Sequence, residues 1–246
     1  ARQLCKTYVH SLGSPDTDLV YCFRLDTPKG RDSFEPTESV ARGYFQGTYK
    51  PWGYGAGFED VAYHNGTLLF ALCDAYDATG EPYFPDLARR IFAGMRRIGT
   101  LSPAPGFVPR GPHPNGKSYY RDSSLDQHTL YVCGLWRYYH SRIADVDQKA
   151  FIRDSVDAIA TRMEANNWFV LSEDNSVQAH AGGGNWRSSD HLLLFLLAAA
   201  KDITGKEHWR VEYDKYSSEH EGKRWRQLAR PLPDSAPGYS FFNNQK

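Results

Sequence analysis

Apolar residues return at helical spacing in six stretches of this chain. The first holds Phe58, Val61, Leu68, Leu69, Leu72, Cys73 and Tyr76, and stops at Ala78-Thr79-Gly80. The second runs from about Pro85 to Ile98 through Leu87, Ile91, Phe92 and Met95, with Arg89, Arg90, Arg96 and Arg97 on a solvated side. A third places Leu125, His128, Val132, Leu135, Trp136 and Tyr139 together, and a fourth, about Gln148 to Asn166, gathers Phe151, Ile152, Val156, Ile159, Ala160 and Met163. The fifth opens at Ser188-Ser189-Asp190-His191 and contains the unbroken apolar run Leu192 to Ala200, which predicts a helix buried on all sides. The sixth is amphipathic, from about Glu207 to Tyr216. Residues 1–57 show no sustained period and read as an irregular segment packed on the same domain. Residues 58–222 form the helical domain, and 223–246, with three prolines, read as a tail.

The six helices pair into three hairpins. Asp77-Ala78-Thr79-Gly80-Glu81 and Asp202-Ile203-Thr204-Gly205-Lys206 are near copies 125 positions apart, and a turn near Ala144 divides that interval almost equally. The repeat is therefore roughly 60 residues. Short turns make antiparallel neighbours, so the three turns fall at one end of the helix layer and the long loops at the other. The loops then meet around the starts of the first, third and fifth helices, which predicts a single site there. The fold class expected is all-α, an array of antiparallel hairpins.

Bulk composition narrows the partners. With 29 basic and 29 acidic residues and no run of one sign, nothing suggests nucleic acid or a charged membrane surface. No stretch approaches the ~20 apolar residues of a membrane span. Aromatic residues make up 14% of the chain, including 16 Tyr and 6 Trp, and their faces suit both sugar rings and a large core. Cys5, Cys22, Cys73 and Cys133 have no metal spacing; Cys73 and Cys133 fall in helices as buried thiols, while Cys5 and Cys22 are free to pair or not. A secreted or periplasmic location is favoured over a cytoplasmic one. Asn65-Gly66-Thr67 matches a glycosylation acceptor but sits in a helical pattern, which argues against its use.

Most of the candidate chemistry lies in one stretch, Gly106 to His128, a Gly- and Pro-rich loop carrying Arg110, His113, Tyr119, Tyr120, Arg121, Asp122, Asp126 and His128. A loop this long and polar in a compact domain is more often a binding or catalytic element than a connector. Glu59, Asp60 and His64 form a second cluster, and His180, Trp186, Arg187, Asp190 and His191 a third. Each has a plain structural alternative. Asp60 and Asp190 are also first-turn acids favoured by the helix dipole. Ser123 with Asp126 also fits a capping box, and Asp122 or Ser123 an N-cap. His128 lies between Leu125 and Val132 on an apolar face, where a core or pocket-floor histidine is the default.

The Thr-Gly turns, Arg121-Asp122-Ser123-Ser124-Leu125-Asp126 leading one helix and Gly183-Gly184-Asn185-Trp186 leading another carry a resemblance. Over about Phe58 to Tyr216 the chain resembles the (α/α) toroids of the six-hairpin glycosidase group, which includes unsaturated glucuronyl and rhamnogalacturonyl hydrolases. The last motif is similar to a Gly-Asn-Gly-Trp stretch of the latter, with the second Gly missing. Six such hairpins need roughly 370 residues at this repeat length. With three visible, the toroid is expected to be incomplete, to be closed by the N-terminal segment, or to be completed in a homo-oligomer.

The resemblance implies a carbohydrate-active enzyme, a glycoside hydrolase acting on oligosaccharides that include uronic acids. Such an enzyme needs one protonated and one ionised carboxyl group across the scissile bond. Asp122, Asp126 and Asp60 are the catalytic candidates, with Asp122 or Asp126 as proton donor. Arg110, His113, Tyr119, Tyr120, Arg121, His128, His64, Trp186, Arg187, Asp190 and His191 are the substrate-binding candidates, Trp186 as a sugar platform and Arg110 or Arg121 as the carboxylate clamp. His64, Asp60 and His191 are conceivable metal ligands, but no metal and no cofactor is expected. The alternatives are a polysaccharide lyase, with Tyr119, Tyr120 or His113 as base and Arg121 or Asn185 neutralising the carboxylate, and a non-catalytic glycan-binding or scaffold protein.

Overall fold

A computed structural model describes residues 2–53, 55–176, 184–188 and 190–228, the side chains of 188, 190, 227 and 228 excepted. The protein is all-α, with nine α-helices among the described residues and only two short hairpins of strand. Six of the helices are the expected ones: α4 (Val61–Thr79), α5 (Tyr83–Leu101), α6 (Leu125–Tyr139), α7 (Val146–Ala165), α8 (Asp190–Thr204) and α9 (Glu207–Leu228). No helix among the described residues is long and apolar enough to cross a membrane.

The two Thr-Gly turns are built alike. Gly80 and Gly205 end α4 and α8 in the left-handed region, at φ of 68° and 66°, where a side chain would be strained. Thr79 Oγ1 donates to Ala75 O at 2.7 Å and accepts from the Glu81 N–H at 3.2 Å. Thr204 Oγ1 makes the same pair of bonds to Ala200 O and from the Lys206 N–H, at 2.6 and 3.1 Å. The middle turn has no glycine. There α6 ends at His140, and Asp145 with Gln148 forms a capping box that starts α7.

Helix α6 is central, flanked by α4 on one side and α8 on the other, with α5 against α4, α7 against α6 and α8, and α9 against α8. Helices α4 and α6 run parallel: Asp60 meets Gln127 at their starts, while Asp74 and Asp77 meet Arg137 near their ends. The close approach needs two glycines. A Cβ on Gly134 would lie 2.6 Å from the Gly66 carbonyl oxygen, and one on Gly66 would collide with the Leu130 carbonyl. At the turn end, the Trp136 indole N–H and the His140 ring both reach Asp202 on α8, so α8 keeps the same direction. All three turns therefore lie at one end. On α8, Leu193, Leu194, Leu196, Leu197, Ala199 and Ala200 are buried, but Leu192, Phe195 and Ala198 form a half-buried stripe. Burial on all sides, as expected from the apolar run, is thus not complete.

The N-terminal 57 residues are more ordered than their composition suggests. They hold α1 (Arg2–Leu12), a hairpin of β1 (Gly13–Ser14) and β2 (Leu19–Val20), the short α2 (Pro28–Arg31) and α3 (Thr37–Ala41), and a second hairpin of β3 (Tyr44–Phe45) and β4 (Thr48–Tyr49). Helix α1 buries no residue fully and packs only the half-buried Cys5 and Val9 against the core. Leu19, Val20 and Tyr21, by contrast, belong to the core. The buried amide of Asn65 on α4 clamps β2, accepting from the Val20 N–H at 3.0 Å and donating to Val20 O at 2.9 Å. Such an asparagine offers no acceptor for a glycan.

The last helix differs too. It extends past Tyr216 and is bent by non-helical residues 219–222, so 223–228 is helical rather than the start of a loose tail. Arg224 there is buried and donates to Arg187 O at 3.2 Å.

Candidate functional site

The start of α4 is capped from outside. An N-cap aspartate ordinarily accepts from backbone N–H groups of its own first turn. Here the Ala62 N–H goes to Arg110 O in the central loop at 2.7 Å, and the Tyr63 N–H goes to Gln127 Oε1 on α6 at 3.0 Å. Asp60 is the N-cap residue, yet its side chain makes no capping bond. The carboxylate instead accepts from Gln127 Nε2 at 2.8 Å, with the Arg110 guanidinium 3.6 Å away. Both ends of the fully buried Gln127 amide are used, which fixes its orientation. One turn-start is thus held by a neighbouring helix, and its acid faces the loop end of the array.

Asp126, one residue before Gln127, comes to the same place. Burial pushes the Asp60 carboxyl above its ordinary range; Arg110 pulls it down and the Asp126 charge pushes it further up. Asp126 is half-buried and accepts from the Ser124 hydroxyl and the Gln127 N–H. Ser124, not Ser123, is the N-cap residue of α6, and no capping box forms. Ser123 instead donates to Val108 O at 2.5 Å.

His64 and Cys22 complete the surroundings of Asp60. A ring nitrogen of His64, the Cys22 sulfur and an Asp60 carboxylate oxygen all lie within 4.8 Å of one another. All three residues are half-buried. Burial lowers the His64 ring from its usual value and pushes the Cys22 thiol up to about 12. The four cysteines are all free thiols, so Cys5 and Cys22 are not bridged. Cys73 is buried and Cys133 half-buried.

The other candidates fall in several places. Arg110 is 4% exposed, donates to Glu59 O at 3.2 Å, and its Nε has no hydrogen-bond partner among the described residues. It is a buried partner of Asp60 rather than an open clamp for a sugar carboxylate. Asp122 is only 6% exposed. Arg121 is exposed and pairs with Glu173 at 3.2 Å, and the Tyr119 hydroxyl donates to the same carboxylate at 2.5 Å. Burial and Glu173 hold the Tyr119 phenol up at about 12, a poor starting point for a base. Ser102 also donates to Glu173, so this one residue ties the two long loops together. Tyr120 is buried, stacked on Phe58, with its hydroxyl donating to Tyr44 O at 3.0 Å. His113 sits edge-on to Phe34 and Phe58, and burial lowers its ring from the usual value.

His128 is a core histidine. Its Nε2 accepts from the Val108 N–H at 3.3 Å, Nδ1 meets Ser124 O at 3.0 Å, and burial brings it down to about 4. Trp186 is 0% exposed, so it packs in the core and presents no face to a sugar. Its indole N–H has no hydrogen-bond partner among the described residues. Arg187 points to Glu219 and the Tyr216 ring on α9. His191 is half-buried on the first turn of α8. The Asp190 side chain and His180 lie outside the described residues.

No family model, curated protein or solved structure matches the chain. Asp60, Asp126, Arg110, His64 and Cys22 form one polar cluster where the α4 and α6 starts meet the central loop. Gln127, Cys22 and Glu173 are the site residues that sequence reasoning passed over. Each acts on a partner dozens of positions away, so no local spacing marks it.

Proposed function

We propose that the protein is a carbohydrate-active enzyme, a glycoside hydrolase using Asp60 and Asp126 as its carboxyl pair. The observation that carries this reading is the convergence of the two acids. They come from stretches 66 positions apart and are joined through Gln127, at the loop end of parallel helices. The Asp126 charge adds to the burial that raises the Asp60 carboxyl, and a glycosidase needs one protonated and one ionised carboxyl group across the scissile bond. Asp126, half-buried and not ion-paired to an arginine among the described residues, is assigned as the proton donor in this proposal, with Asp60, 3.6 Å from the Arg110 guanidinium, as the second carboxyl group.

The same proposal takes the three hairpins as an arc of an (α/α) toroid. The parallel row α4, α6, α8 forms its inner wall, and the half-buried stripe Leu192, Phe195 and Ala198 is where a further hairpin or a second copy packs. The lyase alternative is supported less, because Tyr119 is tied to Glu173 and Tyr120 is buried.

The test is reducing-end release from a panel of uronic-acid-containing and neutral oligosaccharides, comparing the native chain with Asp126→Asn. Loss of a general acid lowers turnover by about 100- to 10,000-fold, and the variant should retain oligosaccharide binding. Turnover unchanged in Asp126→Asn sinks the assignment. A product carrying a new ultraviolet-absorbing double bond would point to the lyase instead.

A further inference from the structure

We infer that Cys22, Asp60 and His64 form a binding site for a single transition-metal dication of the zinc type. The donors come from two parts of the chain: Cys22 just after β2, and Asp60 and His64 one turn apart at the N-cap and first turn of α4. Their ligand atoms lie within 4.8 Å of one another. Ligands of a tetrahedral zinc ion stand roughly 3.5 Å apart, so small side-chain movements close the triad around an ion. A thiol, an imidazole and one carboxylate are a soft to borderline donor set, which selects zinc-like ions over calcium or magnesium. Three protein ligands leave a fourth position open to water or substrate, the pattern of a catalytic rather than a structural zinc site.

Three further features of the fold support the assignment. The Asn65 amide fastens β2 to α4 from both sides of Val20, so the backbone leading to Cys22 is pinned one residue from His64. Gln127 and Arg110 both address Asp60 Oδ1, which leaves Oδ2 to a cation, and Gln127 serves as the orienting hydrogen bond that ligating carboxylates commonly have. Carboxyl groups are in excess here among the described residues: Glu59 and Asp60 both face the Arg110 guanidinium, and Asp126 lies close enough for its charge to act on Asp60. A dication offsets that excess. The site does not depend on the hydrolase reading, because its occupancy is read by spectroscopy.

The probe is Co2+ alone, added to chelator-stripped, thiol-reduced full chain. A thiolate ligand gives a near-ultraviolet charge-transfer band, and a tetrahedral site gives visible bands. Both should saturate at one equivalent and be displaced by Zn2+. Cys22→Ser should lose the near-ultraviolet band, and His64→Ala should weaken Co2+ binding by about 10- to 100-fold or more. A wild-type chain with no charge-transfer band under excess Co2+ overturns the proposal. So does a band that survives in Cys22→Ser, which would place the thiolate elsewhere. Should either variant fail to fold, the native chain decides. Stoichiometric Zn2+ should slow alkylation of Cys22 but not of Cys5, and equal rates with and without Zn2+ overturn the site.

Discussion

Gln127 Nε2 donates to Asp60 Oδ1 across 2.8 Å, although the two residues are 67 positions apart on different helices. The same amide accepts the Tyr63 N–H, so one side chain caps α4 and orients its leading acid.

Replacing it should therefore be felt in both roles. Gln127→Leu removes a bond to a backbone donor and one to a carboxylate, with an expected loss of about 1–3 kcal/mol per bond. Urea unfolding of the variant should show a lower midpoint with an unchanged slope. A midpoint equal to the native one would mean that the amide is not needed to hold the α4 start.

Asn65 makes the second prediction. Its amide bonds the Val20 N–H and C=O of β2 and also Val61 O, all of them buried. Asn65→Ala should destabilise by about 1–3 kcal/mol for the buried polar groups left behind. It should also speed alkylation of Cys22, because β2 is no longer held to α4. Expressed in a glycosylating host, the native chain should show no glycan mass on the Asn65 peptide.

His128 sets a pH dependence. Its folded value is lowered to about 4, against an ordinary value of 6.5 in the unfolded chain. The unfolded chain therefore takes a proton first as pH falls. The stability this residue contributes is fully present above 6.5 and is lost progressively down to about 4, by roughly 3 kcal/mol in all. His128→Asn keeps an acceptor for Val108 but does not titrate. The native chain should lose more stability than this variant between pH 7 and pH 4.5, and parallel losses would refute the assignment.

The contact of α4 with α6 gives the fourth. Alanine is the better helix former by up to about 1 kcal/mol, yet a Cβ on Gly134 would lie 2.7 Å from the Gly66 Cα. Overpacking of this kind costs about 1–3 kcal/mol. Gly134→Ala should lower the melting temperature, and a higher one would show that the two helices can part without penalty.

Much of the fold was legible along the chain, and for a local reason. The apolar stripes of α4 to α8 bury one face every three or four residues, so their period survives in the sequence. The Thr-Gly pairs ended two helices in the left-handed conformation that glycine permits. Helix α1 went unread because it buries no residue fully, with only the half-buried Cys5 and Val9 packed on the core, and β1 to β4 because two-residue strands carry no alternation. The second half of α9 was hidden behind the non-helical residues 219–222. Residue type alone also misled. An aromatic such as Trp186 reads equally as platform or core, and only its surroundings show that it is core. An arginine such as Arg110 reads as a clamp until its burial beside Asp60 is seen.

The amino-acid order by itself determined the hairpins, their turns and the end of the array at which the long loops gather, because helical periodicity and turn chemistry act over a few neighbours. The tertiary structure decided which side chains meet. Gly66 and Gly134 let α4 and α6 approach, Asn65 brings β2 alongside, and only then does Asp60 stand beside Gln127, Arg110, His64 and Cys22. Contacts between residues so far apart in sequence leave no local signature, since they depend on how closely whole elements can pack.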